Sequence, residues 1–315
     1  MKRASKISLI TAAVIIALGL IVCVVASNMA KKNGEELFPG FKDGDKIDTV
    51  DLEDSDISKI EIIADRAKIN IYGGCDKSYV EFINFNELFY TMSLANRVLS
   101  FTEISDMVSA AKFWENGFSF KGMRYFLDFD FSRETSRGKI INIYLADTKE
   151  IKIFDIKVKN CNLTISDISS PADYYITSKT LEITANNVTT SSVISIAGED
   201  KAPLDTAKVF MNDVSARSLK VDAKNLELTC LLATVSSSSE IACDDGSVSI
   251  SLADAADTYS FDILSEYGGV SFNSKSANPY KTTGGAENAP AVKITTKSAD
   301  ITVITAQPAA NSDAG

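Results

Sequence analysis

The residues best spaced for chemistry in this sequence are acidic. Asp244 with Asp245, and Asp254 with Asp257, form two close carboxylate pairs. Carboxylates of this kind, working with calcium and a basic proton acceptor, can cleave acidic polysaccharides. Both pairs lie in polar stretches where Asp also suits the backbone of a turn. No spacing brings the two pairs together. Asp43, Asp45 and Asp48 raise a calcium loop, but an EF-hand needs ligands at its first, third and fifth positions and Gly at its sixth. Here Gly44 falls second and Ile47 fifth, so the stretch reads as an acidic linker.

Contact chemistry has a separate candidate in the aromatic stretch 84–131. Trp114, the only tryptophan, stands among Phe113, Phe118, Phe120, Tyr125, Phe126 and Phe129. Exposed aromatic rings stack on sugars and mark partner surfaces. Trp114, Phe113, Phe118 and Tyr125 are therefore a candidate ligand or partner patch. The alternation of Phe118 with Phe120, and of Phe129 with Phe131, equally fits strand residues packed into a core or capping its end.

Other chemistries are excluded by composition. There is no histidine, which removes imidazole bases, Ser-His-Asp and Cys-His catalysis and His-ligated zinc. No phosphate-binding Gly loop, nucleophile elbow or dinucleotide fingerprint occurs. The sequence assigns no catalytic, cofactor-binding or metal-binding residue, and an enzyme is not expected. The formal charge is −10. Residues 33–315 hold 27 basic against 42 acidic residues, about −15. Such a surface repels nucleic acid, so none is expected as a partner. Asn162 and Asn187 begin glycosylation sequons, but both fall at expected turns.

The elements that would position any site begin with residues 7–26, ISLITAAVIIALGLIVCVVA, which carry no charge. As a helix they would reach ~30 Å, a bilayer core. Lys2, Arg3 and Lys6 precede them, favouring a cytoplasmic N-terminus. The expected organisation is a cytoplasmic tip (1–6), a transmembrane helix (7–26), an acidic linker (27–56), an extracytoplasmic β domain (57–305) and a disordered tail (306–315). The aromatic insert 84–135 interrupts the β domain. Cleavage of a secretory signal near Ala26 is the alternative. Either way the bulk of the chain lies outside the cytoplasm, and with a retained helix it is a single-pass membrane protein.

From Ile57 onward the chain alternates aliphatic and polar residues, as in KIEIIADRAKINIYGG (59–74) and IKIFDIKVKNCNLTI (151–165). Period two predicts strands with one face in a core. FTEISDMVSAAKFW (101–114) is the exception, with helical spacing and Thr102 as a cap. A phrase of two alternating aliphatics, then Asn or Asp and another aliphatic, recurs. It occupies Ile156, Val158, Asn162, Leu163; Leu181, Ile183, Asn187, Val188; Ala207, Val209, Asp213, Val214; and Leu219, Val221, Asn225, Leu226. Stacked strand-and-turn units predict an all-β β-solenoid or β-roll-like stack of short strands with one N-terminal transmembrane helix. An antiparallel β-sandwich is the alternative, with hairpins at Asp244–Gly246 and Tyr267–Gly269. Cys75, Cys161, Cys230 and Cys243 fall in phase with the inward aliphatics. They read as buried thiols, with a disulfide as the open alternative.

The stretches IEIIADRAKINIYGG (60–74), INIYLADTKEIKIFDIKVKNCNLTISDI (141–168), FDILSEYGGVSFNSK (261–275) and KITTKSADITVIT (293–305) resemble a bacterial membrane-anchored or secreted family of unknown function labelled "putative adhesin". The pattern departs at Asn162 and Ala299, where the family carries Gly, and at Ala146, where it carries Pro. The resemblance implies a domain of repeated strands on the cell exterior and transfers no catalytic residues. The functional expectation is an adhesin or envelope interaction module, held to the membrane through residues 7–26 and contacting a cell-wall polymer or envelope protein. A sensory or envelope-stress ectodomain acting through a separate membrane partner is the second expectation, and a polysaccharide-active enzyme the third.

Overall fold

The computed structural model describes residues 47–85, 90–103, 138–147, 149–284 and 288–306. All of them fall within one compact unit, Asp45–Ala111 with Phe131–Gly315. Among these residues there are nineteen strands and only two short 3-10 turns, Glu199–Lys201 and Ala256–Thr258. The first strands are β1 (Ile47–Asp51), β2 (Lys59–Tyr72), β3 (Tyr79–Ile83), β4 (Tyr90–Ala95), β5 (Val98–Glu103) and β6 (Ile140–Tyr144). The central ones are β7 (Ile153–Ser169), β8 (Asp173–Thr177), β9 (Thr180–Thr189), β10 (Val193–Ala197), β11 (Leu204–Ala216) and β12 (Ser218–Val235). The last are β13 (Ser239–Ala255), β14 (Ser260–Ser265), β15 (Val270–Phe272), β16 (Lys275–Ser276), β17 (Tyr280–Thr282), β18 (Ala291–Thr296) and β19 (Asp300–Ala306).

Two parallel ladders organise these strands. In the first, β5, β2, β7, β8, β10, β12, β13, β18 and β14 pair in that spatial order. In the second the order is β6, β2, β7, β9, β11, β12, β13, β19 and β15. The long strands β2, β7, β12 and β13 run through both ladders. Antiparallel strands close the ends: β4 on β5, β3 on β6 and β1 on β3 at one end, β17 on β14 and β16 on β15 at the other.

These pairings overturn the expected stack of separate strand-and-turn units, and its antiparallel alternative. Strands β7, β8, β10, β12, β11 and β9 form a closed ring of six, each parallel to its neighbours. The physical reason is that the chain often changes ladder without breaking its strand. β7 runs for 17 residues and β12 for 18, longer than any strand-and-turn unit allows. Parallel ladders also need no hairpins. Asp244–Gly246 is accordingly not a hairpin but the middle of β13, where Gly246 takes φ 119°. A Cβ there would lie 2.1 Å from the carbonyl oxygen of Leu226, so only glycine fits. Tyr267–Gly269 likewise joins β14 to β15, which lie on different ladders.

The expected membrane-spanning segment 7–26 lies outside the described residues, and among those residues no helix is long and apolar enough to cross a membrane. The expected helix at 101–114 begins instead as strand, with Phe101, Thr102 and Glu103 in β5, and its remainder lies outside the described residues. β1 starts within the stretch read as a linker, and Leu52 just after it is fully buried.

Alternation does govern burial. In β9, Leu181, Ile183 and Ala185 are buried while the residues between them face out. In two of its four copies the Asn or Asp of the recurring phrase has a structural meaning, shared by Asp167 outside the phrase, whereas Asn162 and Asn225 keep negative φ. Asp167, Asn187 and Asp213 adopt φ of 57°, 51° and 53°. Each makes two successive residues face outward, and the next aliphatic (Ile168, Val188, Val214) returns to the core. Asn and Asp tolerate this left-handed conformation better than other side chains with a Cβ. The second and third copies lie side by side in register, with Leu181 opposite Ala207 and Val188 opposite Val214. The first and fourth do not: Leu181 pairs with Cys161, and Ala207 with Leu226.

The core is mainly aliphatic along the ladders, apart from Phe154 stacked on Tyr174 at 4.9 Å, and aromatic at the ends. Phe82 stacks on Phe101 at 4.6 Å, with Phe85 edge-on to Phe101 at 4.8 Å. At the other end Phe272 stacks on Tyr280 at 4.0 Å and meets Phe261 edge-on at 4.9 Å. Among the described residues these large rings cover the last rungs of the aliphatic column.

Candidate functional site

Both ladders turn charged rows to solvent, Glu182, Lys208 and Glu227 forming one on the second, but only the second also carries a row that is nearly uncharged. On the first, one outward row reads Lys220, Glu240, Lys293, Asp262, Lys281 across five adjacent strands. The signs alternate, and Lys293 meets Glu240 at 3.0 Å and Lys281 meets Asp262 at 3.5 Å. Further along the same face Lys59 lies 2.9 Å and Lys157 3.1 Å from Asp155. Burial alone would raise the Asp155 pKa, but these two ammonium groups hold it below its usual value. Charges on this face are largely matched by their own neighbours.

The second ladder presents an almost uncharged row. It runs Glu81, Asn142, Asn70, Thr164, Thr184, Phe210, Thr229, Ser249, Thr302, Ser271. Adjacent members sit one strand spacing apart, ~4.8 Å. Asn70 donates through Nδ2 to Oδ1 of Asn142 at 2.7 Å, and Asn142 donates to Glu81 at 3.1 Å. Beside them Tyr79, Tyr144 and Tyr72 form a second row, with ring centroids 4.5 and 5.4 Å apart. The rings face one another, so this row offers phenol edges rather than open ring faces. Burial, with the Glu81 carboxylate close by, pushes the Tyr144 phenol up to about 12.

Phe210 differs from this tyrosine row. It is 40% exposed, with Thr184 on one side and Thr229 on the other. Glu182, Ile183, Lys208, Val209, Phe210, Glu227 and Thr229 line a shallow depression around it. Lys208 is held 3.1 Å from Glu227. One accessible apolar ring flanked by hydroxyls and a bound ion pair can hold the apolar face of a ligand while hydrogen-bonding its rim.

The patch read from the sequence, Trp114, Phe113, Phe118 and Tyr125, lies outside the described residues. The carboxylate pairs are engaged separately. Asp244 is 2.6 Å from Lys297, Asp245 accepts the Gly246 N–H at 2.8 Å, and Asp254 accepts the Tyr259 hydroxyl at 2.7 Å. Among the described residues no group of three or more acidic or thiol side chains is placed to hold a metal ion. Cys161, Cys230 and Cys243 are buried free thiols. Burial pushes them up to about 12, 12 and 11. Cys75, also free, is only half-buried rather than inward, and its thiol donates to the carbonyls of Tyr72 and Gly73. Asn162 and Asn187 spend their amides on Glu182 and Asp167. Sequence reading missed Phe210 because nothing local distinguishes it; its neighbours in space come from other strands.

No family model matches the chain, and no curated protein matches it. The solved structures that the chain matches include the following two. A "putative cell adhesion protein" from Clostridium sporogenes is 14% identical, with a TM-score of 0.31, covering 84% of this chain and 100% of its own. A "putative adhesin" from Bacteroides fragilis is 12% identical, with a TM-score of 0.44, covering 83% of this chain and 97% of its own.

Proposed function

We propose that this chain is an extracytoplasmic adhesin-type binding module that engages a neutral, hydroxyl-rich polymer such as a cell-wall glycan. The polymer would lie along the exposed part of the nearly uncharged row of the second ladder, over Thr164, Thr184, Phe210 and Thr229. The observation that supports this most is Phe210, an exposed ring set among Thr184, Thr229 and the Lys208–Glu227 pair. Sugar rings have an apolar face and a hydroxyl rim, which this arrangement complements. The acidic balance of the chain, −10, disfavours anionic polymers. The uncharged run 7–26 with its basic flanks supports attachment to a membrane, which cell fractionation would test.

Retention on insoluble cell-wall glycan tests the binding surface. Wild-type chain should be retained, and Phe210→Ser should lose most of that retention while keeping its circular dichroism spectrum. Equal retention of both chains, or none by the wild type across a panel of neutral glycans, would remove the basis for this function.

A further inference from the structure

We propose that the glycan held at Phe210 is N-acetylated: the surface selects sugars that carry an acetamido group over sugars with a hydroxyl in its place. This rests on the glycan-binding role of Phe210 and adds the chemistry that would choose among neutral polymers. Further along β11, ~6.6 Å from Phe210 at strand rise, Asn212 is turned to the same face. It stands opposite Asn186 of β9 on one side and Leu231 of β12 on the other. The exposed ring therefore has two unlike flanks. Lys208 and Glu227 close one of them with an ion pair. Two amides and an aliphatic side chain form the other.

These two amides differ from the rest in being unspent. Every other asparagine within a described strand hydrogen-bonds through its side chain, as Asn162 does to Glu182 and Asn225 to the carbonyl of Asp205. Asn186 and Asn212 make no side-chain hydrogen bond among the described residues, and both are half-buried rather than covered.

An acetamido group presents one N–H, one carbonyl and one methyl. An asparagine side chain accepts at its oxygen and donates at its nitrogen. Two amides one strand spacing apart, ~4.8 Å, can therefore accept from the N–H and donate to the carbonyl. Leu231, 39% exposed beside Asn212, gives the methyl an apolar contact. A hydroxyl in the same place satisfies one amide and leaves Leu231 uncovered. Neither amide is charged, so the match needs no charged sugar, and the chain's −10 disfavours a carboxylated one.

The test compares tetramers of N-acetylglucosamine and of glucose, both β-1,4-linked, titrated calorimetrically into the full-length chain in mild detergent. The wild type should bind the N-acetylated tetramer about tenfold more tightly, the effect of one or two added hydrogen bonds. Asn186→Thr combined with Asn212→Thr, changes that exposed strand positions tolerate, should abolish this preference. Unchanged binding of the glucose tetramer by that chain would show that it is folded. Phe210→Ser should weaken both tetramers alike. Equal binding of the two tetramers by the wild type, or a preference that survives the double change, would overturn the proposal and leave glycan binding at Phe210 standing. Binding of neither tetramer would overturn it too, and retention on other neutral glycans then decides the broader function.

Discussion

Asn187 donates from its amide to Oδ1 of Asp167 across 2.8 Å, and both residues sit at positive φ on neighbouring strands. One side chain therefore supplies the backbone freedom and the cross-strand bond at this bend. Asn187→Ala should lose both, costing about 1–2 kcal/mol. Asn187→Gly keeps the conformation and should cost less. Denaturant unfolding of the two variants gives the order directly; Gly costing more than Ala would mean that the left-handed backbone is not what selects Asn.

Inward and outward positions should differ sharply. Ile183 is buried in β9, and Ile183→Asp should cost about 4 kcal/mol or more, enough to unfold the domain. Lys220 faces solvent in β12 opposite Glu240. Lys220→Asp puts two acids side by side and should cost ~1 kcal/mol or less. Thermal melting of both chains separates these outcomes, and comparable losses would mean that the alternation does not set the core.

Alkaline pH should weaken the fold before it affects the surface. The Cys161 and Cys230 thiols are raised from 9.0 to about 12 in the native state. Above pH 9 the unfolded chain releases these protons while the native chain keeps them. Stability is then complete below pH 9 and falls as pH rises towards 12, by about 1.4 kcal/mol per pH unit for each thiol. Cys230→Ala should flatten that slope in urea titrations run at a series of pH values. An unchanged slope would show that this thiol is not the cause.

Much of the β content could be read from the sequence because burial follows period two in nearly every strand. The significance of Asn187 and Asp213 was also visible, since few other residues accept their backbone. Register was not visible. Ile156 lies on the first ladder and Leu181 and Ile183 on the second, yet all three are simply alternating aliphatics. The copied phrase thus marks two different places, and local pattern cannot tell them apart. Ring closure was hidden for the same reason, because β10 meets β12 and β7 meets β8 through pairings that no short window contains. The outward row is assembled the same way: Thr184, Phe210 and Thr229 become neighbours only once three strands have found their register.

Among the described residues, β18 and β19 do not lie at the edge of a ladder. β18 sits between β13 and β14, and β19 between β13 and β15. The polypeptide overshoots, turns back and threads its closing segment into a gap it has already framed. A protease that removed β19 would therefore have to extract a filled layer, not peel a loose flap. Losing Ala291–Ala306 would leave strands on both sides of the gap facing nothing.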